Sequence, residues 1–273
     1  QGWSTGVRLS NRAGLTLTEM VPGILEGKVK GMFVMGENPV ISDPNTHHVR
    51  EALESLDLLV VQDIFFTETA ALADVVLPAA SFAEKDGTFT NTERRVQRVR
   101  QAVNPPGNAL PDWQILCALA ERVGQKLEAL HLENNGGRVA GRGPTYGFWG
   151  YRTPSEIFEE SASLVPSYAG ISYERLERGG IQWPCPTKYH PGTPFLHKGR
   201  FTRGLGKFHA IEFQPPAELP DDEYPLYLST GRIRYHYHTG TMTRRSKGLS
   251  LVAPEERIEV HPIDAEALGL ADG

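Results

Sequence analysis

The most unusual group of polar residues lies in one stretch, Ser229–Arg245, which concentrates arginine, histidine and hydroxyl side chains. Arginine and hydroxyl groups bind phosphate oxygens well, so this composition favours a pocket for phosphates or a polar heterocycle. His236 and His238, spaced i, i+2, would share one face of an extended segment and could hold a metal. No third ligand follows at a suitable spacing, and we therefore favour the phosphate or heterocycle pocket.

Two short polar segments follow apolar runs earlier in the chain. Gly36–Pro39 supplies a glycine and a tight turn with free N–H groups, which suits phosphate. Gln62–Phe65 places Asp63 just past an apolar run, where its carboxylate could accept hydrogen bonds from a guanine edge or a ribose. The simpler interpretation, a turn and a strand end without a ligand, stays open on these local features. Neither a Gly-x-Gly-x-x-Gly nor a P-loop motif is present, which argues against ordinary NAD or ATP binding.

A third polar group, Glu84–Asn91, combines an Asp-Gly turn with several hydrogen-bonding side chains. Four arginines follow it within residues 94–100. Such a charge run most often forms a solvated face of the protein. The functional alternative is a surface that binds an anion or an electron-transfer partner.

The elements that must position these residues alternate between strand and helix. Apolar runs at 31–36, 58–61 and 74–78 predict strands, and helical patterns over 47–56 and 67–73 separate them. The run at 58–61 is typical of a parallel strand buried on both faces. Two β-α-β units at this spacing predict an α/β fold with a doubly wound parallel sheet.

The later part of the chain divides at a Pro-rich linker near residue 220. Before it, the pattern predicts an amphipathic helix over residues 112–130 with Asp112 as its N-cap, then loops with short helices at 154–161 and 172–178. We therefore assign residues 1–220 to the α/β domain with a loop-rich insertion.

After the linker the pattern changes to strands, at residues 224–230 and 257–261. Residues 221–273 are predicted to be a second, β-rich domain.

The composition excludes several classes of function. With 273 residues, 40% of them hydrophobic and 22% charged, the chain has ordinary globular composition. The net charge of −5 argues against a nucleic acid or an anionic membrane as partner, and no apolar run approaches the roughly 18 residues of a membrane span. The chain has only two cysteines, Cys117 and Cys185, which excludes a disulfide framework and favours a reducing, cytoplasmic location. They form no Cys-x-x-Cys pair, which argues against an iron–sulfur or zinc cluster in this stretch.

Both ends of the chain are expected to be cut from something longer. The chain begins at Gln1 without a methionine, and it stops after an Asp-Gly turn signal at Gly273.

The order of the motifs resembles the molybdopterin oxidoreductase family over essentially the whole chain. The segments that carry the resemblance are Gly36–Pro39, Gln62–Phe65, Thr67–Pro78, Glu84–Gln97 and Ser229–Arg232. Two further segments, Ile181–Pro186 and His236–Arg244, are similar specifically to the catalytic (alpha) subunits of formate dehydrogenases.

The resemblance implies that two molybdopterin guanine dinucleotides hold molybdenum or tungsten in an enzyme that oxidises formate to CO2. It implies that Asp63 reads a guanine, and that the strands after residue 221 begin the family's β-barrel domain. The cofactor contacts that it implies are Gly36, Glu37, Asn38, Gln62, Asp63, Thr67, Gly87, Thr88, Asn91, Thr230, Arg232, His236 and His238.

The chain also departs from the family pattern. It has neither the cysteine cluster of the 4Fe–4S centre nor the cysteine or selenocysteine that ligates the metal, and the resemblance implies partner subunits with iron–sulfur or flavin centres. Two alternatives stay open. One is another enzyme of the family, such as an assimilatory nitrate reductase, which shares the element at 229–232. The other is a non-catalytic electron-transfer subunit of the same fold.

Because these metal-binding residues are absent from it, the 273-residue chain alone is expected to hold no molybdenum or tungsten and to leave formate unoxidised. Elemental analysis and a formate assay on the purified chain measure this. Robust turnover would contradict the expectation.

Overall fold

The alternating pattern of the first hundred residues folds into a three-stranded parallel sheet. The structure, a computed structural model, describes residues 11–134 and 149–272. Strands β1 (Gly31–Met35), β2 (Leu58–Asp63) and β3 (Val75–Pro78) lie side by side in chain order and run parallel. The expected mixed α/β class is therefore confirmed.

Helices cover one face of this sheet. They are α1 (Leu17–Leu25), the short α2 (Pro39–Ser42) and α3 (Thr46–Glu54), and Ala70–Leu72 forms a 3-10 turn where a longer helix was predicted. One cluster of buried side chains joins them to the strands: Ile24, Val34, Val40, Val49, Ala52, Leu53, Leu59, Val61 and Ala70. Burial of each of the larger side chains stabilises the fold by about 2 kcal/mol.

The opposite face of the sheet is partly open. Leu58 is 48% exposed although its neighbour Leu59 is 1% exposed, so the prediction that this strand is buried on both faces is wrong for this structure. Side chains alternate between faces along a strand. Because the strands follow in chain order, right-handed crossovers place both connections on the same face. The partly exposed apolar side chains of the open face are Phe33, Met35, Leu58 and Val75.

A second sheet follows, in which β4 (Gly87–Thr90) and β5 (Arg95–Val99) form an antiparallel hairpin and β6 (Ile181–Gln182) pairs with β5. Helices α5 (Pro154–Leu164) and α6 (Tyr173–Leu176) lie in the chain before β6. The buried side chains of this part are Val96, Ile171, Leu176, Ile181 and Cys185.

The four arginines of residues 94–100 are paired with groups of the protein and are not a free anion-binding surface, and only Arg100 among them is exposed. Arg94 donates to the backbone oxygens of Trp183, Thr193 and Pro194. The others bond nearby groups: Arg95 bonds Glu93 and the Gly180 oxygen, while Arg98 and Arg100 both pair with Glu177. Irregular chain after β6 leaves carbonyl oxygens without ladder partners, and guanidinium groups satisfy them.

The long helix α4 (Asp112–Asn134) confirms the amphipathic helix, but Asp112 is its first residue and not its N-cap. Its carboxylate bonds Gln62 and Lys85. After residue 240 the chain forms a 3-10 turn (Thr243–Arg245), α7 (Lys247–Val252) and α8 (Pro262–Ala267). None of the described helices is long and apolar enough to cross a membrane.

The strands predicted at residues 224–230 and 257–261 do not form; in the described part of the chain, no strand follows β6. Leu228 is 87% exposed and Ile258 is 85% exposed. A strand persists only when its backbone is paired, and the described residues offer these segments no partner strand. The division at residue 220 and the start of a β-barrel remain predictions.

Replacement of Arg94 by alanine is expected to lower the free energy of unfolding by about 2 kcal/mol, because three carbonyl contacts of a charged donor are lost. Arg50→Ala is the matched control, since Arg50 makes an exposed pair with Glu54 at 3.6 Å and no other bond to a described residue. Its replacement should cost less than about 0.5 kcal/mol. Urea unfolding measures both variants. An equal loss in the free energy of unfolding for the two variants would show that the three carbonyl contacts of Arg94 do not stabilise the fold.

Candidate functional site

Polar residues meet where β1 and β2 end. Met35 pairs with Gln62 in the sheet, so the residues after each strand are neighbours. The Gly36 backbone N–H donates to the Gln62 oxygen at 2.9 Å. Gly36 has φ +66°, and a Cβ there would meet no atom within 4 Å, so the space above it is open. We call residues 36–38 and 62–69 the carboxyl edge, the place where parallel sheets bind ligands.

The side chain of Asn38, 5% exposed, organises this edge. Its Oδ1 accepts from the Thr69 N–H at 3.2 Å and from the Thr69 hydroxyl at 2.8 Å. Its Nδ2 donates to Glu68 Oε2 at 2.8 Å and to Thr241 Oγ1 at 3.4 Å. These four bonds use the full capacity of the amide, so the Asn38 side chain is engaged within the protein.

The Asp63 carboxylate lies at the same edge. Its Oδ1 accepts from the Phe65 N–H at 2.9 Å. Burial raises the pKa of Asp63, against the backbone N–H groups of Phe65 and Ile64 and the charge of Arg245, which lower it. Each carboxylate oxygen has two lone pairs, so Asp63 keeps acceptor capacity for a ligand beyond these two backbone N–H groups.

Gln62 is fully buried beside Asp63, and its Nε2 donates to Asp112 Oδ1 at 2.8 Å. Its Oε1 is buried and receives no hydrogen bond from the described residues. An orphaned buried acceptor costs about 1–3 kcal/mol. A ligand N–H or O–H group would remove that cost.

Thr67, 2% exposed, has a structural contact. Its hydroxyl accepts from the Ala70 N–H at 3.1 Å and so supports the turn that follows the edge.

His236 and His238 do not share a face. His236 is 6% exposed, and its Nε2 lies 2.9 Å from the Ala253 oxygen while its Nδ1 lies 3.2 Å from Thr243 Oγ1. A carbonyl oxygen only accepts, so Nε2 carries the hydrogen. His238 is exposed with φ +49°, which breaks the extended geometry that a shared face requires. In the described part of the chain, no group of three or more His, Cys, Asp or Glu could hold a metal ion.

Besides the two histidines, five more of the predicted cofactor residues form no hydrogen bond to the carboxyl edge among the described residues. Gly87 and Thr88 lie in β4, and the Asn91 side chain accepts from the Arg95 N–H at 2.9 Å within the hairpin turn. Thr230 and Arg232 are exposed on the C-terminal segment.

Sequence reasoning missed four residues that build the edge: Glu68, Thr69, Thr241 and Arg245. The sequence Thr-Glu-Thr at residues 67–69, shortly after β2, was the available signal for Glu68 and Thr69. Hydroxyl and carboxylate groups in the loop after a strand commonly bond nearby backbone. Thr241 lies in the polar stretch Ser229–Arg245, but nothing local indicates its partner Asn38, which is 203 residues away in sequence.

The chemistry of the edge fits a dinucleotide with a polar heterocycle. The N–H groups of Glu37 and Asn38 have no acceptor in the described structure, and they flank the open space at Gly36. Such N–H groups suit a phosphate. The Asp63 carboxylate and Gln62 Oε1 are acceptors that suit the N–H groups of a heterocycle.

Comparisons with known proteins agree with this chemistry. Residues 6–122 match the family model "Molybdopterin oxidoreductase", and residues 226–273 match "Molydopterin dinucleotide binding domain". The acetylene hydratase of Pelobacter acetylenicus, 20% identical, superposes with a TM-score of 0.62 over 94% of this chain and 34% of that one, which shows a shared fold.

Curated relatives are closer in sequence. The F420-dependent formate dehydrogenase 1 subunit alpha of Methanococcus maripaludis is 49% identical over 99% of this chain and 37% of its own length. The F420-dependent formate dehydrogenase subunit alpha of Methanocaldococcus jannaschii is 50% identical, with the same two coverages of 99% and 37%. The chain thus spans 37% of the length of these relatives. With both domain models matched in order, the chain belongs to the molybdopterin oxidoreductase family.

Proposed function

We propose that this chain is part of the catalytic subunit of a formate dehydrogenase, which oxidises formate to CO2 with two molybdopterin guanine dinucleotides and molybdenum or tungsten. The observation that carries the proposal is the 49–50% identity to formate dehydrogenase alpha subunits over 99% of the chain. When bound, the cofactor supplies the metal centre that takes two electrons from formate.

The chain's own residues bind and orient the first dinucleotide at the carboxyl edge. The N–H groups of Glu37 and Asn38 donate to a phosphate, and the open space at Gly36 allows its close approach. Asp63 accepts from the guanine edge, and Gln62 Oε1 accepts from a nearby N–H group. Asn38 and Thr67 hold these groups in place through their internal hydrogen bonds.

Three exposed residues of the C-terminal segment, Thr230, Arg232 and His238, are proposed to contact the second dinucleotide. His236 supports them by fixing the turn through Thr243 and Ala253. We propose that Gly87, Thr88 and Asn91 extend the first site, because the nearby Lys85 pairs with Asp112, which bonds Gln62.

In the complete enzyme, electrons leave through a 4Fe–4S centre to partner subunits with iron–sulfur or flavin centres. The methanogen relatives are named for coenzyme F420, which we propose as the acceptor reached through such a subunit. The two free cysteines support a cytoplasmic location.

The activity is tested on the complete subunit that carries this chain, with an artificial viologen dye in place of the partner subunits. Formate-dependent reduction of the oxidised dye is expected. Nitrate-dependent oxidation of the reduced dye, or no turnover with either substrate, would overturn the formate proposal.

Asp63→Asn is expected to weaken retention of the guanine dinucleotide about tenfold or more, because an amide N–H₂ replaces an acceptor facing the guanine. To measure retention, each variant is dialysed and hydrolysed in acid, and the guanine nucleotide released is determined per mole of protein. Asp57→Asn is the control, since Asp57 is exposed next to the opposite end of β2. Equal guanine content in the two variants would show that Asp63 does not bind the base.

A further inference from the structure

The C-terminal segment, residues 236–245, meets the carboxyl edge through two long-range hydrogen bonds. Thr241 Oγ1 accepts from Asn38 at 3.4 Å, and Arg245 donates to the Phe66 oxygen at 3.5 Å. These bonds join residues that the chain separates by 203 and 179 positions.

Arg245 contacts both sides of this junction at once. Its guanidinium carbon lies 4.5 Å from the centroid of the Phe65 ring, and its Nε donates to the Thr241 oxygen of its own segment at 3.2 Å. A guanidinium stacked on an aromatic face gains a cation–π attraction and loses part of its freedom. One side chain thus ties the Thr241 turn to the loop after β2.

Two carboxylates accompany the guanidinium. The charge of Arg245 contributes to lowering the pKa of Glu68, after the hydrogen bonds from Asn38 and from the Glu68 backbone. Arg245 also favours the charged form of Asp63. Glu68 in turn holds the Asn38 amide that donates to Thr241. The residues Asn38, Glu68, Thr241 and Arg245 form one continuous set of contacts, which Arg245 joins through the Thr241 backbone oxygen. We call this set the latch.

We propose that the latch sets the C-terminal segment on the carboxyl edge, so that Arg245 and Glu68 are positioning residues and not ligands of the dinucleotide. An anionic phosphate near Arg245 would meet the negative charges of Glu68 and Asp63, which oppose its binding. The role in the cofactor site rests on the proposed function, whereas the contacts themselves are made by this chain's own residues.

Hydrogen exchange of the complete subunit tests the latch. Two preparations are compared: cofactor-loaded protein, and cofactor-free protein from a host that cannot make the pterin. In cofactor-free protein, Arg245→Met is expected to speed amide exchange in residues 236–245 about 5–30-fold, while strand β2 stays unchanged. Arg245→Lys should restore part of the protection, because it keeps the charge. Glu68→Ala should release Asn38 and raise exchange in the same segment, whereas Glu68→Gln keeps an acceptor and should change it less.

Arg257→Met is the matched control. Arg257 is an exposed arginine of the C-terminal part that makes no hydrogen bond or ion pair to any described residue, so its exchange pattern should equal that of the wild type. If Arg245→Met alters exchange only in cofactor-loaded protein, Arg245 is a ligand and the latch is wrong. Because the readout needs no bound cofactor or turnover, failure of the formate assay would leave this result intact.

Should Arg245→Met unfold the whole protein, exchange would rise in β2 as well, and Arg245→Lys and Glu68→Ala then carry the comparison. Wild-type exchange in residues 236–245 for both variants would overturn the proposal.

Discussion

The amide of Asn38 is buried where the loop after β1, the turn after β2 and the C-terminal segment meet. A buried amide without partners costs a few kcal/mol, so the three parts of the chain must come together in the one arrangement that supplies two donors and two acceptors. Thr69, Glu68 and Thr241 are those partners. These four hydrogen bonds depend on one another. The loss of one partner leaves a buried polar atom without a hydrogen bond and weakens the geometry of the remaining bonds.

The edge separates residues that hold position from residues that are free to bind. Asn38, Thr67 and His236 have their polar side-chain atoms engaged inside the protein. By contrast, the Asp63 carboxylate, Gln62 Oε1 and the N–H groups of Glu37 and Asn38 have capacity left over within the described structure. A family motif contains both residues that hold position and residues that are free to bind. The hydrogen bonds of each side chain in the structure distinguish the two.

Sequence alone predicted the features that depend on neighbours in the chain. The three parallel strands, α3 and α4 follow from local apolar periodicity, and the structure confirms them. The arginines of residues 94–100 were misinterpreted because their partners, Glu177 and the carbonyl oxygens of residues 180–194, lie some 80–100 positions away in the sequence. The strand pattern at 224–230 failed for a related reason, since a strand needs a second strand that local composition does not reveal.

The open face of the parallel sheet has a practical consequence. Phe33, Met35, Leu58 and Val75 present an apolar patch, 38–48% exposed by residue, on a layer whose other side is fully packed. Patches of this kind make proteins adhere to one another in water. The isolated chain is therefore expected to self-associate in solution, and dilute samples or a mild detergent are the conditions that limit this.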